Sequence, residues 1–140
     1  MSAPGFHGAK LALFNAGRVL VYLRDDRADI PWPNHWDLPG GGREGAESPA
    51  DCAMRELYEE FGLRLPKDRL TYARLYAGVG RDGRDAWFFS GDITNEEIAA
   101  IRFGHEGQRW LMMEVDDFLT RPDAPGPLKA RLRDCLEDRI

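Results

Sequence analysis

Residues 41–63 read GGREGAESPADCAMRELYEEFGL, and the fold is read outward from them. Ser48, Pro49 and Asp51 mark a helix start: a serine cap, a proline at the first helical position, and an acid three residues after the cap. Gly62 is the natural stop, because glycine enters the left-handed conformation that ends helices without a steric penalty. Between these signals Ala50, Ala53, Met54, Leu57 and Phe61 recur at helical spacing and form an apolar stripe. At about 100° per residue, Glu56, Glu59 and Glu60 fall together on the flank of that stripe. Glutamates four apart on a helix repel each other, and near its C-terminus they also face the negative end of the dipole.

A bound cation removes that conflict. Magnesium takes oxygen ligands, keeps several waters, and is usually held by a few carboxylates together with substrate phosphates. Three glutamates on one helical flank suit that demand. The competing reading of the helix alone is a solvated acidic face, since glutamate is a good helix former. The residues before the helix shift the balance toward a metal. Gly40, Gly41 and Gly42 allow close backbone approach, so their amides and carbonyls can face a ligand.

Outward from this stretch, KLALFNAGRVLVYLR reads as two strands about a turn at Asn15–Gly17. The run from Asp25 to Pro49 is a long polar loop with Pro, Gly and Trp, a length that in a compact domain usually accompanies function. On the other side, RLTYARLYAGV and DAWFFSGDI are strands meeting around Gly80–Gly83. RWLMMEV is a further short strand or a helix start, and Leu128, Leu132, Cys135 and Leu136 mark a terminal amphipathic helix. Strands and helices interleave, so the expected class is α/β or α+β, with helices packed on a mixed sheet.

A length of 140 residues is expected to form one domain, 1–140. The formal charge of −5 gives no basic footprint for a nucleic-acid backbone, although local charge and metal can still attract small anions. No apolar run approaches the ~18 residues of a membrane span, and MSAPGFHGAK lacks the regions of a signal peptide. Cys52 and Cys135 form no metal-binding or disulfide pattern. The expected compartment is the cytoplasm.

Gly41, Glu47, Arg55, Glu56, Leu57, Glu59, Glu60, Gly62 and Leu63 together form the pattern G-x5-E-x7-R-E-U-x-E-E-x-G-U, with U aliphatic. This resembles the signature of the Nudix hydrolases at every specified position. The resemblance implies an α/β/α sandwich with a mixed sheet, and hydrolysis of a nucleoside diphosphate linked to another group. By similarity, Glu56, Glu59 and Glu60 are metal ligands for magnesium, or manganese in its place, helped by the carbonyl of Gly40. Arg55 and Glu47 are an ion pair orienting the catalytic helix, and the residues themselves agree, since Arg55 is the cation inside the glutamate cluster.

Hydrolysis at phosphorus needs charge neutralised on the phosphate oxygens and a water positioned in line, with a carboxylate in reach as base. Glu56 is the candidate within the signature, with Glu59 and Arg55 beside it. Glu106, in GHEGQRW, is the candidate outside it, against the plain reading of a solvated loop acid. Trp32 and Trp87 are candidates for stacking on a base, and Arg24 and Arg81 for phosphate contacts. Phe88, adjacent to Trp87 in a strand, points to the opposite face and reads as core.

Within the resemblance, markers of several subgroups are missing: Val79 stands where ADP-ribose types place proline, and Tyr76 comes too early for the dinucleoside polyphosphate type. The remaining expectation is a MutT-like enzyme converting a nucleoside triphosphate, oxidised ones included, to monophosphate and pyrophosphate. The alternatives are an ADP-ribose or nucleotide-sugar pyrophosphatase and a non-catalytic nucleotide sensor. The expected partner is a small nucleotide, with no nucleic acid and no membrane. The oligomeric state is not set by these residues.

Overall fold

The computed structural model describes residues 5–78 and 85–138. Strands β1 (Phe6–Asn15) and β2 (Arg18–Leu23) form the expected hairpin, with Phe14 opposite Val19 and Asn15 opposite Arg18. Its two turn residues, Ala16 and Gly17, both have positive φ (51° and 76°), the twist that two-residue hairpins require. Two short strands follow, β3 (Trp36–Asp37) and β4 (Gly40–Gly42), then helix α1 (Pro49–Phe61). A 3-10 turn (Lys67–Arg69) leads into β5 (Leu70–Tyr76) and β6 (Asp85–Asp92). The short helix α2 (Asn95–Ala99), strand β7 (Arg109–Glu114), and helices α3 (Val115–Thr120) and α4 (Gly126–Asp138) complete the chain.

The sheet runs β3-β2-β1-β6-β5, with β4 added on β1 and β7 on β2. β1 and β6 are parallel and the other pairs antiparallel, so the sheet is mixed. β1 is buried on both faces, as its nearly continuous apolar run requires. Leu11 and Leu13 pack with Cys52, Ala53, Leu57 and Phe61 of α1 on one side. Ala12 and Phe14 pack with Phe118 of α3 and Leu128, Leu132 and Cys135 of α4 on the other. The result is the expected α/β/α layering.

Two sequence expectations change in detail. The long loop is not wholly irregular, because β3 pairs with β2 and the glycine run pairs with β1, Gly40 opposite Lys10 and Gly41 opposite Ala9. The glycines are there for room: a Cβ on Gly40, whose φ is +129°, would lie 2.1 Å from the Ala9 carbonyl oxygen. RWLMMEV divides between its two readings, β7 ending at Glu114 and α3 beginning at Val115. The turn around Gly80–Gly83 lies outside the described residues. Among the described residues, no helix is long and apolar enough to cross a membrane.

Candidate active site

Helix α1 is capped as its sequence dictates. Ser48 accepts from the Asp51 amide at 3.2 Å, and Gly62 closes the helix at φ 68° with its amide on the Tyr58 carbonyl. Its C-terminal end carries the loop that follows α2: the amides of Arg102 and Gly104 donate to the carbonyls of Phe61 and Glu60, each at 2.8 Å. Glu106 is two residues further on this loop, and its charge bears on Glu56.

Arg55 is the hub of the glutamate cluster. Its Nε and Nη2 grip both oxygens of Glu47 at 2.6 and 3.1 Å, and Nη2 also donates to the Gly42 carbonyl at 2.8 Å. Nη1 sits between Glu56 at 2.8 Å and Glu59 at 3.0 Å. Paired hydrogen bonds of this kind fix direction as well as distance, so one side chain ties the helix to the glycine strand. The hydrogen bonds from Arg55 lower the Glu47 carboxyl from its ordinary value.

Glu60 is buried, 4% exposed, with Oε1 accepting from the Gly40 amide at 2.9 Å. Burial pushes its carboxyl up to about 8; Lys10 and the Gly40 amide pull the other way, while Asp37 and Glu56 add to the rise. Burial likewise raises Glu56, opposed by Arg55 and assisted by Glu59 and Glu106. A crowded, desolvated set of carboxylates is a donor set that a hard divalent cation relieves. Among the described residues, no group of three His, Cys, Asp or Glu side chains stands ready to hold a metal. Glu56 and Glu59 are instead both held by the Arg55 guanidinium. The donors fit such an ion in chemistry, and Glu59, half exposed, retains the most freedom.

Gly41 is where backbone and chemistry meet most closely. A Cβ there would lie 2.7 Å from Cδ of Glu56. Because the colliding group ends a flexible side chain, Gly41→Ala keeps the fold but displaces the Glu56 carboxylate. With Glu56 in the catalytic role expected from the sequence, turnover is expected to fall by about a hundredfold, with the melting temperature within a few degrees of wild type. Steady-state kinetics beside a thermal melt checks both parts.

Beside the glycine strand, on the α4 side of the sheet, lies a cavity of about 660 Å³. Gly41, Gly42, Lys10, Arg24 and Asp37 line it, as do Trp32, Trp87 and Arg131. Asp37 is buried, and its Oδ2 accepts from Lys10 Nζ and Arg24 Nη1, both at 2.9 Å, and from the Tyr22 hydroxyl at 3.2 Å. Burial alone would raise this carboxyl, and the two cations reverse that, leaving it below its ordinary value. Two cations on one carboxylate leave a positive excess in a protein whose formal charge is −5. Lys10 also faces the carbonyls of Leu38 (3.2 Å) and Gly40 (3.4 Å).

The expected residues fall in several places. Arg24 lines the cavity and donates to the Pro31 carbonyl at 2.9 Å. Trp32 stands exposed at the cavity with φ 51°, its ring edge-on to His35 at 5.3 Å. Positive φ is unusual for so bulky a residue. Trp87 lines the cavity while stacking on Phe89 at 6.0 Å, and Phe88 is wholly buried in the core. Glu106 lines a smaller hollow with Tyr22 and Arg24. Arg81 lies outside the described residues. Cys52 packs under the site, its thiol pushed up to about 11 by burial. The reading of the sequence missed Lys10, Asp37 and Arg131. A lysine inside the otherwise apolar KLALF strand was the available signal for the first; an acid in WDLPGGG was a weaker one for the second.

The NUDIX domain family matches residues 7–135. An RNA pyrophosphohydrolase of Rhodospirillum rubrum is 29% identical over 137 residues, covering 82% of this chain and 79% of that protein. The chain spans smaller shares of other relatives of that name, 28% in Bartonella tribocorum and 65% in Cereibacter sphaeroides. Among solved structures, a MutT protein from Methanosarcina mazei Go1 superposes with a TM-score of 0.71 at 15% identity, covering 99% of this chain and 98% of that one. A bifunctional NMN adenylyltransferase/ADP ribose pyrophosphatase from Francisella tularensis, complexed with AMP and a manganese ion, gives 0.61 at 18% identity over 78% of this chain and 34% of that one. These structural likenesses speak to the fold. The family match reaches from the first strand to the last helix, so what one short box suggested extends over the whole arrangement, and this chain belongs to the NUDIX domain family.

Proposed function

We propose that this Nudix pyrophosphohydrolase cleaves a nucleoside triphosphate to the monophosphate and pyrophosphate. Magnesium, replaceable by manganese, would be held by Glu56, Glu59, Glu60 and the Gly40 carbonyl. The observation that carries this reading is the buried Glu60 carboxyl, crowded by Glu56 and Asp37 beside a cavity with excess positive charge. When bound, the metal neutralises charge on the phosphate oxygens and acidifies a water.

The chain's own residues do the rest. Lys10 and Arg24 draw the polyphosphate into the cavity and hold it, fixed by their shared carboxylate Asp37. Glu56 takes the proton of the attacking water: burial and neighbouring acids raise its affinity for protons, as a base working near neutrality requires. Arg55 sets the direction of that carboxylate through Nη1 and is itself braced by Glu47. Glu106, whose charge bears on Glu56, is the further acid near the reacting phosphate. Trp32 stacks on the base, a contact worth about 1–3 kcal/mol, with Trp87 on the same cavity. Cys52 and Cys135 are buried and not disulfide-bonded, the state that the cytoplasmic setting proposed for this protein would maintain.

A second reading places the triphosphate at the 5′ end of an RNA. The name of the Rhodospirillum rubrum relative favours it, against the expectation from net charge that no nucleic acid is bound. ADP-ribose and a purely sensory role remain as outcomes of one test. Purified protein is incubated with nucleoside triphosphates, oxidised nucleotides, ADP-ribose, nucleotide sugars and a 5′-triphosphorylated oligoribonucleotide, with magnesium, manganese or chelator, and products are resolved by mass. Metal-dependent release of pyrophosphate from free triphosphates is the expected result. Turnover of the RNA alone selects the second reading, turnover of ADP-ribose alone a different substrate class, and binding without turnover a sensor.

A further inference from the structure

The cavity holds a cation that this chemistry does not use. Arg131, on α4, is half buried in the cavity wall, with its guanidinium over the Tyr76 ring at 5.1 Å. Arg24, Arg55, Arg69 and Arg121 each pair with a carboxylate. Among the described residues, no carboxylate bears on the charge of Arg131, and burial lowers its pKa from the ordinary arginine value. The nearest acid along the helix, Asp134, accepts from the Tyr76 hydroxyl at 2.8 Å and faces Arg74 at 3.5 Å. A guanidinium has five donors and no acceptor. Half buried without an anion, it is left with donors that water only partly serves, and such groups are costly to leave unpaired. Lys10 and Arg24 do not share this state, because Asp37 binds both.

We propose that Arg131 is a specificity-determining residue, donating its planar fork to an acceptor-only edge of the substrate in this cavity. This rests on the reading that the nucleotide occupies that cavity. Two groups present such an edge: O6 and N7 of a guanine base, and a pair of phosphate oxygens. Adenine does not, since its N6 amino group is itself a donor and would oppose the guanidinium. Trp32, exposed at the same cavity, supplies an apolar face against which a base whose edge reaches Arg131 would lie.

The test compares wild type with Arg131→Met and Arg131→Lys. Dissociation constants for GTP, ATP and inorganic triphosphate are measured by calorimetry in chelator, and kcat/KM for the two nucleotides is measured with magnesium. If the partner is guanine, Arg131→Met weakens GTP by roughly tenfold or more and ATP by less than twofold. Arg131→Lys, which keeps the charge but loses the fork, lowers the GTP-to-ATP ratio as well. If the partner is phosphate, all three probes weaken alike in Arg131→Met and recover partly in Arg131→Lys. Constants within twofold of wild type for every probe, in variants with native circular dichroism, overturn the proposal. So does wild type that binds none of the probes. Should Arg131→Met fail to fold, Arg131→Lys decides by the same ratios. Failure of the hydrolase reading looks different: wild type binds nucleotides, and Arg131 sorts them, but nothing turns over.

Discussion

Replacing Glu60 with glutamine is expected to abolish metal-dependent turnover while making the chelated protein more stable at alkaline pH. The activity loss follows from the role proposed for Glu60: charge stabilisation of several kcal/mol, at about 1.4 kcal/mol per tenfold, is a loss on the order of a thousandfold. The stability gain follows from burial. In the metal-free protein the Glu60 carboxyl keeps its proton up to about pH 8, whereas in the unfolded chain it ionises near ~4.3. Between those values the folded state binds more protons than the unfolded one, so stability falls as pH rises through the window. Its full extent is a few kcal/mol. Glutamine does not titrate, and its amide oxygen still accepts from the Gly40 amide. Chemical denaturation in chelator at pH 5.5 and 8.5 reads the difference: wild type loses stability between them and Glu60→Gln loses less. Magnesium should stabilise wild type more than the variant, and equal pH dependence in the two would sink the argument.

Asp37→Ala is expected to destabilise the protein by about 3–5 kcal/mol, the usual consequence of leaving buried charge without its partner. The side chain is nearly absent from the surface and anchors Lys10, Arg24 and the Tyr22 hydroxyl on one oxygen, with the Leu38 amide on the other at 2.7 Å. Its removal leaves two cations in the cavity wall and frees both from their positions, so KM should rise as well. The pH dependence has the opposite sign to that of Glu60. The Asp37 carboxyl lies below its ordinary value in the folded protein because Lys10 and Arg24 outweigh burial. Its contribution is therefore present above the unfolded carboxylate pKa, near ~3.9, and is lost as pH falls through the lower folded value. Denaturation curves from pH 7 down to pH 2 test this. Other carboxylates with lowered values, Glu47 among them, keep an acid limb in both proteins. Wild type should therefore show a steeper limb than Asp37→Ala, and parallel limbs would mean that Asp37 is not the anchor.

The glutamate helix was legible in the sequence because everything that specifies it acts within a few residues. Ser48 reaches the amide three positions on, Gly62 closes on Tyr58, and Glu56, Glu59 and Glu60 share a flank by the helical period alone. The hairpin at Ala16 and Gly17 is local in the same sense. The box also carried the family, and with it the layered fold.

Tertiary structure decided what lies opposite that helix. The Lys10–Asp37 contact spans 27 residues, and the parallel pairing of β1 with β6 brings Lys10 beside Phe88. No periodicity in either segment encodes such partners. The glycine run looked like a loop because glycine disfavours strands, and it became a strand because β1 offered a free edge closely enough approached to exclude any side chain. Arg131 was invisible for a similar reason. In the sequence it is one arginine on an amphipathic helix, and only the packing of α4 over the sheet leaves it half buried at the wall of the cavity, with no described carboxylate bearing on its charge.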